Sequence, residues 1–160
     1  EAALLAAVRD AIGPARRIAD LFAGCGTFTL PLAETAEVLA VEGDAAMTAA
    51  LEKAARGAVG LRRITVQARD LFRRPLEPDE LKAIDAVVID PPRAGAEAQT
   101  ERLAAAKVPV IASVSCNPVT FARDARMLTA AGYVLDWVQV VDQFRWSAHV
   151  ELAARFHLPR

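Results

Sequence analysis

The amino-acid sequence predicts an α/β fold: a mostly parallel seven-stranded sheet, helices on both faces and a reversed last strand. Three observations carry this. Apolar segments of strand length alternate with segments of helical periodicity along nearly the whole chain. Residues 84–89 form an almost continuous aliphatic block, as expected of a strand buried on both faces. The last two strand-like segments are separated by a short loop, which makes them pair antiparallel.

The elements follow in order. Residues 1–12 read as a helix, with Leu4, Leu5 and Val8 at helical spacing, ended by Gly13-Pro14. A short apolar strand, 17–22, leads into the loop Ala23-Gly24-Cys25-Gly26, and Thr27 is placed to cap a helix running to about Glu34. A second strand covers 37–41, and Gly43-Asp44 opens an Ala-rich helix to about Arg56. A third strand, 64–68, ends at Arg69-Asp70, and 75–82 reads as a loop with a short helix. After the strand at 84–89 come a helix near 97–106, a fifth strand at 108–114 and a helix at 118–130 ended by Gly132. Strands at 133–141 and 150–156 complete the chain. This arrangement resembles the Rossmann-like fold of S-adenosylmethionine-dependent methyltransferases.

The 160 residues suit one domain, and 54% apolar content supplies its core. A formal charge of −1 gives no electrostatic push toward nucleic acid, so an RNA substrate would be gripped largely by segments outside these residues. Cys25 and Cys116 are too few for a multi-cysteine metal or iron–sulfur site and do not suggest a disulfide scaffold, so no metal is expected. No signal peptide and no apolar run of membrane-spanning length is present, and a cytoplasmic monomer is expected. The chain starts inside a helix-like stretch without an initiator Met and reads as a fragment of a longer protein.

Ligands of open α/β sheets bind at the carboxyl ends of the strands. The first strand ends in Asp20-Leu21-Phe22-Ala23-Gly24-Cys25-Gly26-Thr27. Two glycines one residue apart let the backbone approach a ligand closely; the third glycine of the dinucleotide fingerprint is missing. The second strand ends in Glu42, whose carboxylate can accept from two ribose hydroxyls. The third ends in Asp70, placed to accept from an adenine amino group, and the fourth in Asp90. Alone, each carboxylate would more often be solvated or a helix cap; together they favour an adenosine-type ligand.

Asp90-Pro91-Pro92-Arg93-Ala94-Gly95 leaves the fourth strand with its backbone fixed by two prolines, so that Asp90 and Arg93 can face a ligand or pair with each other. Ser115-Cys116-Asn117-Pro118 follows the fifth strand. Cys116 therefore sits at the edge of the same cleft, where a helix N-terminus suits a nucleophilic thiolate; the plainer alternative is a small buried hydrophobe, a role that fits Cys25 better. His149 and Glu151 share one face of the last strand. Partial burial there strengthens Glu151 as a general base.

These residues closely resemble the RNA uracil-C5 methyltransferases, which act on the T-loop uridine of tRNA and on uridines of large-subunit rRNA. The match covers nearly the whole chain, through Asp20–Phe28, Val41-Glu42, Asp90–Gly95, Ser115–Pro118 and Phe144…His149-Val150-Glu151. The resemblance implies that Cys116 adds to C6 of uracil and that C5 takes the methyl group of S-adenosyl-L-methionine. It implies further that Glu151 removes the C5 proton. Phe22, Thr27, Glu42, Asp70 and Asp90, with Gly24 and Gly26 of the loop, match cofactor-contacting positions; Asp90, Arg93 and His149 would orient the uracil. The segment before Glu151, Phe144-Arg145-Trp146-Ser147-Ala148-His149, departs from the family's Phe-Pro-x-Thr-x-His. The family's RNA-binding segments, and an upstream glutamine that contacts the cofactor, have no counterpart in these residues, so the fragment alone is expected to be weakly active or inactive.

Rival readings are weaker. A base-amino methyltransferase would have an aromatic residue at Arg93 and no need of Cys116. A cytosine-C5 enzyme would carry a cysteine near the fourth strand. A cofactor-binding, catalytically incomplete module and a nicotinamide oxidoreductase complete the alternatives.

Overall fold

A computed structural model of the chain describes residues 2–141 and 150–159. Thirteen elements run β-α-β along it: α1 (Ala2–Ile12), β1 (Arg17–Leu21), α2 (Thr29–Leu32), β2 (Glu37–Glu42), α3 (Ala45–Gly57), β3 (Ile64–Ala68), α4 (Pro78–Leu81), β4 (Ala86–Ile89), α5 (Glu97–Ala106), β5 (Val110–Ser115), α6 (Pro118–Ala130), β6 (Val134–Val141) and β7 (Glu151–His157). The strands form one sheet in the order β3-β2-β1-β4-β5-β7-β6. β1 to β5 pair parallel, and β7 runs antiparallel to both β5 and β6. The reversed strand is thus the last in sequence, as expected, but it lies inside the sheet. β6 takes the outer edge, with most of its side chains exposed.

Two apolar layers flank the sheet, and strand alternation decides which residue serves which. Ile18, Val38, Ala86, Val88, Ala112 and Val114 face one side, where α1 covers β4 and β5 through Leu4, Ala7, Val8, Ala11 and Ile12, a stripe at helical spacing, and α2 packs on β2. Ala19, Leu21, Val87, Ile89, Ile111 and Phe156 face the other, against Leu81 of α4, Leu103 of α5 and Leu128 of α6. Every residue of β4 is buried, which is why its sequence reads as a continuous aliphatic run.

Three local expectations are corrected. The helix after β1 starts at Thr29 with Phe28, not Thr27, at its N-cap, because Phe22, Gly24 and Gly26 all adopt positive φ and the chain needs an extra turn before helical geometry begins. Thr27 is exposed and caps nothing. Cys25 is exposed as well, turned outward by the two glycines beside it rather than buried.

Candidate active site

The ladder hydrogen bonds carry on past the strand ends and bring four loops to one edge. Ala23 N–H donates to the Val41 carbonyl (3.0 Å), Asp90 N–H to that of Leu21 (3.2 Å) and Arg69 N–H to that of Glu42 (2.8 Å). Between these loops lies a cleft of about 450 Å³, lined by Phe22, Gly24, Glu42, Asp44, Met47, Asp70, Phe72, Asp90, Pro91 and Pro92.

Glu42 is the organiser of this half. One carboxylate oxygen accepts from Gly24 N–H (2.8 Å), the other from Gly43 N–H (2.7 Å) and Asp44 N–H (2.8 Å). A single side chain thereby ties the loop after β1 to the loop after β2. Asp44 in turn caps α3, accepting from Ala46 and Met47 N–H. Asp70 does the same work one strand further out: its Oδ1 accepts from Phe72 N–H (2.9 Å), which turns the Phe72 ring back toward Phe22, centroid to centroid 5.3 Å. Gly26 has no room for a side chain, since at φ +101° a Cβ would stand 2.5 Å from Leu51 Cδ1. Gly24 is different: only Met47 Sδ, at 3.8 Å, approaches its Cβ position, so its backbone is open to the cleft.

Beneath the loop lies Asp20, which was not singled out as a site residue from the sequence. It is fully buried; Oδ2 accepts from Thr29 Oγ1 (2.6 Å), while Oδ1 has no partner among the described residues. Burial pushes its carboxyl up to about 7, against the Thr29 hydrogen bond, with the negative charges of Asp90 and Glu42 adding to the rise. The available signal was a carboxylate in mid-strand between Ile18-Ala19 and Leu21, where an apolar residue would be expected.

The other half of the edge is built by β5 and β7. Their antiparallel register pairs Ser115 with Leu152, so Cys116, one residue beyond, comes level with Glu151, the first residue of β7. Cys116 is partly exposed, and Glu151 Oε2 is buried without a hydrogen-bond partner among the described residues. Asn117 caps α6 by accepting from Val119 N–H (3.0 Å). Its amide donates to the Arg93 carbonyl (3.0 Å), to which Thr120 Oγ1 also donates (3.1 Å). These bonds fasten the Asp-Pro-Pro-Arg loop to the Cys-Asn-Pro loop. Asp90 is the hinge between halves: it lines the cleft, and its carboxyl is raised to about 6, by burial first and then by the charge of Glu151. Among the described residues no ion pair joins Asp90 to Arg93, whose side chain is exposed.

The structure therefore gathers Phe22, Gly24, Glu42, Asp70 and Asp90 into one cleft, while the β5–β7 register levels Cys116 with Glu151 further along the same edge of the sheet. Gly26 lies behind the loop, Thr27 points to solvent and Arg93 contributes its carbonyl to the scaffold. His149 lies outside the described residues. Among the described residues no group of three or more His, Cys, Asp or Glu is placed to hold a metal ion.

A mixed sheet of this order, with its cleft over the carboxyl ends of β1 to β4, is the S-adenosylmethionine-dependent methyltransferase fold. Residues 4–156 match the tRNA (uracil-5-)-methyltransferase family, and the chain belongs to it. It is 60% identical over 143 residues to an RNA methyltransferase of Rhizobium meliloti, covering 89% of this chain and 34% of that protein. It is 43% identical over 151 residues to the 23S rRNA (uracil(1939)-C(5))-methyltransferase RlmD of Halomonas elongata, covering 92% of this chain and 31% of that one. The solved Pyrococcus abyssi tRNA (uracil-54, C5)-methyltransferase, in complex with S-adenosyl-L-homocysteine, superposes with a TM-score of 0.81 at 31% identity over 96% of this chain and 37% of its own. The chain thus spans about a third of the length of the relatives it matches.

Proposed function

We propose that this chain is the catalytic domain of an RNA methyltransferase that transfers a methyl group from S-adenosyl-L-methionine to C5 of a uridine in rRNA or tRNA. The observation that carries this reading is the register that levels Cys116 with Glu151 on the same sheet edge as the cleft, next to Asp90, which lines it and feels the charge of Glu151. A thiol and a carboxylate opposed beside an adenosine-sized cleft are what C5 methylation of uracil needs, since that carbon is a poor nucleophile until C6 is attacked.

The cleft fits the cofactor. Its volume lies in the range that small-ligand sites occupy. The open Gly24 backbone, the Phe22–Phe72 pair and the carboxylates of Glu42 and Asp70 match the extended, partly aromatic, hydroxyl- and amine-bearing shape of an adenosine. When bound, S-adenosylmethionine supplies an electrophilic methyl group on a sulfonium. The chain's own residues do the rest. The Cys116 thiolate forms a C–S bond to C6 of uracil, and the displaced electron pair makes C5 nucleophilic. C5 then forms its bond to the methyl carbon, while the methyl–sulfur bond breaks with its electrons left on sulfur. Glu151 removes the C5 proton, and the electrons of that C–H bond re-form the C5–C6 double bond and expel Cys116. Asp90, close enough to feel Glu151, orients the uracil between the two halves, with His149 and Arg93 assigned to the same task. Phe22, Gly24, Glu42 and Asp70 belong to the cofactor side, with Gly26 and Thr27 shaping the loop behind it rather than lining the cleft.

The domain would act within a longer, cytoplasmic, monomeric protein whose other segments hold most of the RNA. No described helix is long and apolar enough to cross a membrane. The test is trapping with RNA carrying 5-fluorouridine, in which fluorine replaces the proton that Glu151 must remove. The chain, in its full-length protein, is expected to form a stable covalent complex that vanishes in Cys116→Ala; no adduct from protein that binds S-adenosylhomocysteine would overturn the mechanism. A catalytically incomplete binding module predicts that second result.

A further inference from the structure

We propose that the amino-terminal edge of the sheet, opposite the cleft, is a second RNA-contacting surface that takes backbone phosphates through Arg16, Arg17 and Arg62. The inference rests on the function proposed above, which makes RNA the partner.

The parallel register builds this edge. Arg17 pairs with Glu37 at the starts of β1 and β2, and Val38 pairs with Ile64, so Arg62 and Arg63 stand immediately ahead of β3. Backbone bonds hold the arginines there independently of their side chains: Asp85 Oδ2 accepts from Arg16 N–H (3.1 Å) and Arg17 N–H (2.9 Å), and Arg62 N–H donates to the Ala33 carbonyl (2.7 Å). All four arginines are exposed. Arg63 is paired with Glu37 at 3.3 Å, whereas Arg16, Arg17 and Arg62 have no ion-pair partner among the described residues. An open groove of about 660 Å³ runs between them, lined by Arg16, Arg17, Thr35, Glu37 and Arg62.

A chain with a formal charge of −1 has placed three unneutralised guanidiniums around one groove. Solvated cations scattered at random need no such shared groove, and arginine is the side chain whose planar fork matches phosphate oxygens. Phosphate contacts position a nucleic acid without reading its sequence. The edge lies a strand length from the cleft, roughly 17 Å for five residues. A long RNA reaches both; a short oligonucleotide seated at Cys116 does not.

The experiment measures RNA binding by the full-length protein that carries this chain, by fluorescence anisotropy across a salt series, with a hairpin of about 40 nucleotides and a uridine pentamer, beside a titration with S-adenosylhomocysteine. The Arg16→Ala/Arg62→Ala variant is compared with Arg126→Glu, which changes net charge equally at the exposed face of α6. The double variant is expected to bind the hairpin about tenfold more weakly, with a salt slope shallower by about 1.8. Its affinities for pentamer and S-adenosylhomocysteine should be those of the wild type. Equal losses in Arg126→Glu, or no loss in the double variant, overturn the proposal. So does full-length wild-type protein that binds S-adenosylhomocysteine but not the hairpin, a result that leaves the cofactor side of the function standing. Full-length wild-type protein that binds none of the three counts against the function itself and removes this proposal with it.

Discussion

The two halves of the carboxyl edge spend their polar groups differently. Over β1–β3 the carboxylates are bonded to the chain itself: Glu42 takes three backbone N–H groups and Asp70 turns the Phe72 loop. Over β5 and β7, Cys116 stands partly exposed and Glu151 keeps a buried oxygen without a partner among the described residues. A binding surface gains from rigidity, because every loop ordered in advance is entropy that the ligand does not have to remove. A nucleophile and a base must stay available for the reacting atoms, and a group already hydrogen-bonded would have to break that bond first. The left half is therefore read as scaffold for the cofactor, the right half as chemistry.

The largest expected effects break the right half alone. Cys116→Ala should lower methyl transfer by roughly 10⁴-fold or more, as losses of a covalent nucleophile do, with S-adenosylhomocysteine affinity unchanged in a calorimetric titration. Glu151→Gln should cost about 10²–10⁴-fold, the range for a general base. The two variants separate on a denaturing gel with unmodified RNA: the glutamine enzyme should accumulate the methylated covalent adduct because nothing takes the C5 proton, and the alanine enzyme should show none. If both lose cofactor affinity instead, the division of labour is wrong.

Much of this division was legible in the sequence, and the failures are instructive. β4 was readable because burial on both faces leaves an aliphatic run with no alternation. The strand-end carboxylates were readable because a parallel sheet puts all those ends on one edge. The position of β7 between β5 and β6 was not, since strand order depends on contacts distant in sequence and local pattern reports only that the last two strands pair. Thr27 as a cap failed because three positive-φ residues lengthen the turn, a backbone property that composition understates. Cys25 was assigned the buried role by proximity to the glycines, yet the same turn exposes it. Asp20 is hidden because it directly precedes the loop motif, which masks its place inside the apolar strand.

Asp20 offers the next measurement, on the left half. Its carboxyl is raised to about 7, so the folded state holds the proton more tightly than the unfolded chain does. That stabilisation is present below the unfolded value and is lost as pH rises through the folded one. Asp90, raised to about 6, acts with the same sign over a narrower window. Stability should therefore fall between about pH 4 and about pH 7, with Asp20 accounting for on the order of 4 kcal/mol of the drop. Asp20→Asn keeps an acceptor for Thr29 and removes the charge, so its urea midpoints should vary less with pH and exceed the wild type above about pH 7. Wild-type stability that rises across the same interval would show that the aspartate is ionised and satisfied in the fold.

The smallest effect tests the comparison most directly. Glu42→Gln preserves shape but replaces one carboxylate oxygen with an NH₂ group. Whichever way the amide turns, a donor meets either Gly24 N–H or the Gly43 and Asp44 pair, and at least one charge-assisted bond is lost. The loop after β1 would then sample conformations that the cofactor has to re-order on binding. Affinity for S-adenosylhomocysteine should weaken about tenfold, while the rate at saturating S-adenosylmethionine changes by less than about threefold. A rate that falls as far as affinity at saturation would mean that Glu42 contributes to the transition state, and the scaffold half would then belong to the chemistry as well.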